Sequence, residues 1–231
     1  MRKCRLFPVL TVLFALSAVV RADAKHLTPD DITATIAVLS APPADGSPEQ
    51  QAEIQTLLDF QAKRTPEDVA RVEKNSHLSP YLFTDILGEW FNKKDLPLTD
   101  QLMSEVAGEG KAVVIPAKKQ FRRNRPFVTD SRITPTLKES GFGYPSGHGT
   151  GGMTYALVLA EMFPEHKDAL IARGKQIGED REIAGVHYPS DVAAGQKIAA
   201  EIVKRLLANP DFHAEMEKAI EECHADAQAG K

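Results

Sequence analysis

Three stretches of this chain set charged and nucleophilic side chains at spacings that chemistry could use. The first is KKQFRRNRPF, where Lys118, Arg122 and Arg125 are spaced i, i+4 and i+7. On a helix ending just before Pro126 they would share one face. The second is GYPSGHGTGG, a serine and a histidine among glycines ahead of the apolar run MTYALVLAEMF. The third is GEDREIAGVHYPSDVAAG, which brings Arg181, His187 and Asp191 close together in the chain.

Each stretch suggests a part of an anion site. A helix N-terminus has backbone N–H groups without internal partners and carries the positive end of the helix dipole. Glycine lets an anion approach that backbone closely, and the Ser146 hydroxyl can add a bond. PSGH therefore reads as an anion cradle with His148 at its mouth. In the third stretch Pro189 suits the first position of a helix, which puts Asp191 in the first turn, within reach of His187. A carboxylate on one ring nitrogen fixes the tautomer and leaves the other nitrogen free as base or nucleophile. Arg181 falls on the otherwise apolar stripe Leu170, Gly174, Ile177, Ala184 and there needs an anionic partner or a route to water. Taken singly, each stretch also has a plainer reading: a solvated basic helix end, a glycine-rich turn with a surface histidine, and a structural His–Asp hydrogen bond.

Jointly and in this order, K-x6-RP, PSGH and R-x5-H-x3-D resemble the three signature motifs of the type 2 phosphatidic acid phosphatase (PAP2) superfamily. The resemblance is in particular to its bacterial class A non-specific acid phosphatases. It covers roughly residues 40–220, including a Pro42-Pro43 loop before the first long helix and the Asn209-Pro210 step. Vanadium-dependent haloperoxidases share the motifs and the all-helical fold. The resemblance implies that Lys118, Arg125 and Arg181 bind phosphoryl oxygens together with Ser146 and the backbone N–H groups of Gly147 and His148. It implies that His187 attacks phosphorus, oriented by Asp191, and that His148 protonates the leaving alcohol. Phosphoryl transfer needs this kind of charge stabilisation around an in-line nucleophile. No metal or other cofactor is implied, since cations would fill the place of metal ions.

Two departures from the family pattern stand out. Asp180 precedes Arg181 where the pattern usually has serine, and the expected arrangement turns it away from phosphate toward a cation such as Arg181, Arg122 or Arg123. The cysteines of many relatives are missing. The remaining histidines, His26, His77, His166, His213 and His224, sit in polar contexts and read as surface residues.

The elements that must position these groups read as helices nearly throughout. Thr28-Pro29-Asp30-Asp31, Ser47-Pro48-Glu49-Gln50 and Thr65-Pro66-Glu67-Asp68 are each a capping residue, a proline and first-turn acids. Further helices are expected over about 80–93, 98–124, 147–163, 166–185, 190–207 and 210–227. Val192, Ala199, Ile202, Val203 and Leu206 form a core stripe on one of them. Residues 127–144 read as a long loop of the kind that often carries function. The expectation is an all-α, single-domain helical bundle over residues 25–231.

Residues 1–24 read as a cleaved leader: basic MRKCR, apolar LFPVLTVLFALSAVV, then Ala22-Asp23-Ala24 as an A-x-A cut site, with a cut after Ala22 as the alternative. The apolar run is short of the ~20 residues of a bilayer span, so stable membrane insertion is not expected. Loss of the leader leaves 24 basic against 31 acidic residues, a net charge of −7. That balance disfavours nucleic-acid binding. Only Cys223 would remain, which rules out an internal disulfide; it reads as an incidental thiol, with a disulfide-linked dimer left open. The sequence thus points to a periplasmic or secreted phosphomonoesterase for small phosphate esters, with a homo-oligomer left open. A vanadate-dependent peroxidase and a non-catalytic phosphate-binding protein are the alternatives.

Overall fold

Local chemistry sets the first three helix starts. Thr28, Ser47 and Thr65 have extended backbones, and each side-chain oxygen accepts the N–H three residues on, from Asp31, Gln50 and Asp68. Asp31 and Asp68 return a bond to the cap residue's own N–H, closing two capping boxes. These caps open α1 (Pro29–Ala37), α2 (Pro48–Lys63) and α3 (Pro66–Ser76). The structure is a computed structural model that describes residues 24–229, so the leader expected over 1–24 lies, Ala24 apart, outside the described residues.

The helix expected over 80–93 is instead a 3-10 turn, Pro80–Phe83, running into the short α4 (Thr84–Leu87). Gly88, at φ 101°, ends it. α5 (Pro97–Phe121) also stops sooner than expected, because Arg122 turns left-handed at φ 50°. Arg125 consequently lies outside α5 and caps the one-turn α6 (Pro126–Thr129). Lys118 and Arg125 therefore do not share a helical face, and it is the chain reversal after α5 that brings them to one site. α7 (Gly147–Met162), a 3-10 turn at Pro164–His166, α8 (Lys167–Ile183), α9 (Pro189–Leu207) and α10 (Pro210–Ala229) follow. All regular elements among the described residues are helical, as the all-α reading requires.

α7 is apolar all round and lies at the centre, packed on α8, α9 and α5. Small residues let its neighbours close in. A Cβ on Gly174 of α8 would stand 2.6 Å from Ala156 Cβ, and one on Gly195 of α9 would stand 2.6 Å from the Ser146 carbonyl oxygen. The stripe on α9 is buried, as is that on α8, Arg181 included.

One sequence expectation fails here, and one possibility left open is closed. His26 is buried, its ring edge-on to Phe212 and its Nε2 on Glu105 and Glu215, because the segment before α1 packs onto α5 and α10. Cys223 is fully buried in the main core with its Sγ 3.3 Å from Thr99 Oγ1, which removes it from pairing with a second copy. No helix among the described residues is long and apolar enough to cross a membrane.

Candidate active site

Pro189 opens α9 and puts Asp191 at its third position, fully buried. Asp191 Oδ2 accepts the Tyr188 N–H at 3.1 Å and faces His187 Nδ1 at 3.2 Å. On the other side of the ring, His187 Nε2 lies 3.1 Å from Arg125 Nη1. A guanidinium has no lone pair to offer, so Nε2 must be the acceptor. The proton is then on Nδ1, held by Asp191, and the Nε2 lone pair points at the cations. Burial outweighs Asp191 and pushes the His187 pKa down to about 3, so the ring is neutral above that pH.

Asp191 is held by residues that the sequence motifs do not contain. Its Oδ1 takes Arg123 Nη1 at 2.7 Å. Arg123 also reaches Ser190 Oγ and Glu53 Oε2, both at 2.7 Å, and stacks 3.9 Å over the Tyr188 ring. Glu53 in turn accepts the Ser190 N–H at 2.7 Å, at the start of α9. Burial would raise the Asp191 pKa, but His187, Arg123 and the Tyr188 N–H together hold it below the usual value. Arg123 was visible in the sequence only as one charge among several, and Glu53 had no local signal at all.

Arg125 and Arg181 meet at Glu139. Arg125 Nη2 lies 3.2 Å from Glu139 Oε2, and Arg181 Nη2 bonds the other oxygen. Arg181 is nearly inaccessible, yet its Nε and Nη1 have no partner. Two buried donors without acceptors, beside a second guanidinium, describe a place for an anion larger than one carboxylate. Glu139 belongs to the loop expected to carry function. Carbonyls of the same loop orient the cations: those of Ser140 and Gly141 accept Arg125 Nε, and those of Phe142 and Gly143 accept Lys118 Nζ at 2.7 and 2.8 Å. An ammonium has three donors, so one of Lys118 is left for an anion. Burial and the nearby Arg125 lower the Lys118 pKa to about 8.

Ser146 caps α7, its Oγ accepting the Gly149 N–H at 3.1 Å, and its own N–H is on the Asp191 carbonyl at 2.8 Å. The end of α7 is thus tied to the start of α9. The glycines here answer to helix packing more than to cradle space. A Cβ on Gly149 would press on Ser146 and on the Val192 carbonyl at 3.2 Å, and one on Gly152 would stand 2.8 Å from Ile177 Cγ2. Only at Gly147 would it meet ordinary contact, with Val114 at 4.0 Å. His148 Nε2 is 2.9 Å from the Ser76 carbonyl, and burial and Arg181 push its pKa down to about 4. His148 and Gly147 also line a cavity of about 340 Å³ walled by Leu78, Val106, Val114 and Tyr155.

Asp180 does turn away toward a cation, but the cation is Arg71 of α3, at 2.9 Å, and none of those expected. Its second oxygen takes Asn75 Nδ2. The carboxylate therefore ties α3 to α8.

The PAP2 superfamily model matches residues 102–209, which contain all three motifs. The non-specific acid phosphatase of Salmonella typhimurium is 37% identical over 148 residues, 61% of this chain and 59% of that protein, so the chain spans about three fifths of its length. The acid phosphatase of Zymomonas mobilis is 33% identical over 193 residues, 80% of this chain and 73% of that protein. Among solved structures, the first bacterial vanadium-dependent iodoperoxidase shares the fold with a TM-score of 0.55 and 15% identity, over 72% of this chain and 52% of that one.

Proposed function

The chain belongs to the PAP2 superfamily, and from that premise we propose that it is an exported, metal-independent acid phosphatase acting on small phosphate monoesters through a phosphohistidine. The observation that carries the reading is the His187 Nε2 lone pair. It meets Arg125 Nη1 at 3.1 Å, whose guanidinium shares Glu139 with Arg181, and it is held there by the Asp191 contact on Nδ1.

In the first step Nε2 forms a bond to phosphorus as the ester P–O bond breaks, and Asp191 stabilises the positive ring. Lys118, Arg125, Arg181, Ser146 and the free N–H groups at the start of α7 take the charge on the three equatorial oxygens. The departing oxygen receives a proton from His148. In the second step a water gives its proton to His148, attacks phosphorus and releases His187. The cavity lined by His148 offers room for the leaving group next to the proposed acid.

The decisive measurement is phosphate release from an aryl phosphate with and without excess EDTA. Activity should persist with chelator and be lost by at least about 10⁴-fold in His187→Ala. Loss on chelation, restored by a divalent metal, overturns the reading.

A further inference from the structure

Glu109, on α5, is fully buried and has no part in the proposed reaction. Its carboxylate takes three successive backbone N–H groups: those of Lys25 and His26 on Oε1, both at 2.7 Å, and that of Leu27 on Oε2 at 3.3 Å. The cationic side chains of this segment go elsewhere. Lys25 Nζ bonds Glu105 at 3.0 Å and Glu215 at 2.6 Å, and the His26 ring faces the same two glutamates. Among the described residues no cationic side chain pairs with Glu109. A buried carboxylate held by neutral donors alone is a costly arrangement, and a positive charge at the same place would offset that cost.

The first of the three nitrogens belongs to Lys25, the residue that follows Ala22-Asp23-Ala24. Hydrolysis of the Ala24–Lys25 peptide bond would leave a carboxylate on Ala24 and a primary amine on Lys25. With an ordinary α-amino pKa of about 7.7–8.0, that amine is largely protonated at neutral pH. We infer that export cuts the chain between Ala24 and Lys25, and that the new α-ammonium of Lys25 forms an ion pair with the buried Glu109 that locks the mature N-terminus onto α5.

The nitrogen needs little movement to do this. Lys25 is anchored by its own side chain, the His26 carbonyl accepts Asn209 Nδ2 at 3.1 Å, and Leu27 is buried in the main core. A cut after Ala22 would leave an uncharged amide on Glu109, so the two cut sites differ in stability. The uncut precursor is likewise the less stable form, because the ion pair arises only after cleavage. The inference rests on the leader proposed above.

The test starts with the protein exported from a bacterial host. Its intact mass and N-terminal sequence should begin at Lys25. A chain that keeps residues 1–24 overturns the leader reading itself, whereas one that begins at Asp23 overturns this inference alone. Thermal unfolding then compares the exported chain with one engineered to retain Asp23-Ala24, each with and without Glu109→Gln. The retained dipeptide should lower Tm by about 5–10 °C, and Glu109→Gln should cost markedly more in the Lys25-first chain than in the extended one. Equal Tm values for the two unsubstituted chains overturn the ion pair even if Glu109→Gln does not fold.

Discussion

Arg123 and Arg181 are both buried guanidiniums, and they are finished differently. Arg123 uses its terminal nitrogens on Asp191, Ser190 and Glu53, with its plane on Tyr188. Arg181 has one shared, half-buried carboxylate, and its Nε and Nη1 are left without acceptors. The difference separates holding from binding. Arg123 commits both terminal nitrogens to partners present without substrate, with only its Nε left over, and it fixes Asp191 and hence the His187 tautomer. Arg181 sits in a site whose donors exceed its acceptors, and in the proposed reaction an arriving phosphate would supply what is missing.

Substituting each arginine with methionine, which keeps bulk but removes charge, gives the largest contrast. Arg181→Met should lower kcat/KM by about 10²–10³-fold while leaving Tm unchanged or higher. Arg123→Met leaves Glu53 and the buried Asp191 without their shared cation and should lower stability by about 3–5 kcal/mol, read by denaturant unfolding. The reverse pattern, with Arg181 needed for stability and Arg123 dispensable, breaks the comparison.

The pH profile comes next. In the proposed reaction His187 must be neutral to attack, and with a pKa near 3 it is so above that value. His148 must be protonated to act as an acid, and with a pKa near 4 its protonated fraction falls about tenfold per unit above that. For an alkyl phosphate, kcat/KM should therefore rise through about pH 3 and decline above about 4. The decline in kcat should lie at higher pH, since bound phosphate favours the charged ring. A profile that keeps its descending limb in His148→Ala assigns the limb to another group.

Glu139 tests the incomplete side more gently. It bridges Arg125 and Arg181 where phosphate would go, so it must yield to substrate. Glu139→Gln should lower KM and the inhibition constant of inorganic phosphate by about three- to tenfold, worth ~0.6–1.4 kcal/mol. A rise in KM would show that the carboxylate helps to build the site.

The smallest effect on turnover is expected at Asp180, which belongs with the completed networks through Arg71 and Asn75. Asp180→Ser should leave kcat/KM within about threefold. It should reduce stability by about 1–3 kcal/mol, because Arg71 and Asn75 lose their buried acceptor. A hundredfold loss of kcat/KM without a stability change would give Asp180 a role in the chemistry.

What the sequence by itself determined is what can be settled within a helical turn or two. The Thr28, Ser47 and Thr65 caps act through neighbours three residues away. His187 and Asp191 meet because four residues and a proline-led helix start bring them together. The stripes on α8 and α9 follow the helical period, so the core faces and the buried Arg181 were legible there. Tertiary structure decided the rest. Arg123 meets Asp191 across 68 residues and Glu53 across 70, and Lys25 meets Glu109 across 84. Such pairs leave no periodic trace, because nothing in a local pattern says which distant helix will pack alongside. The left-handed Arg122 after α5 reoriented Arg125, and close packing of α7 claimed the glycines. Asp180 found its cation on α3 for the same reason: a buried charge takes the partner that the fold delivers to it, whatever its distance along the chain.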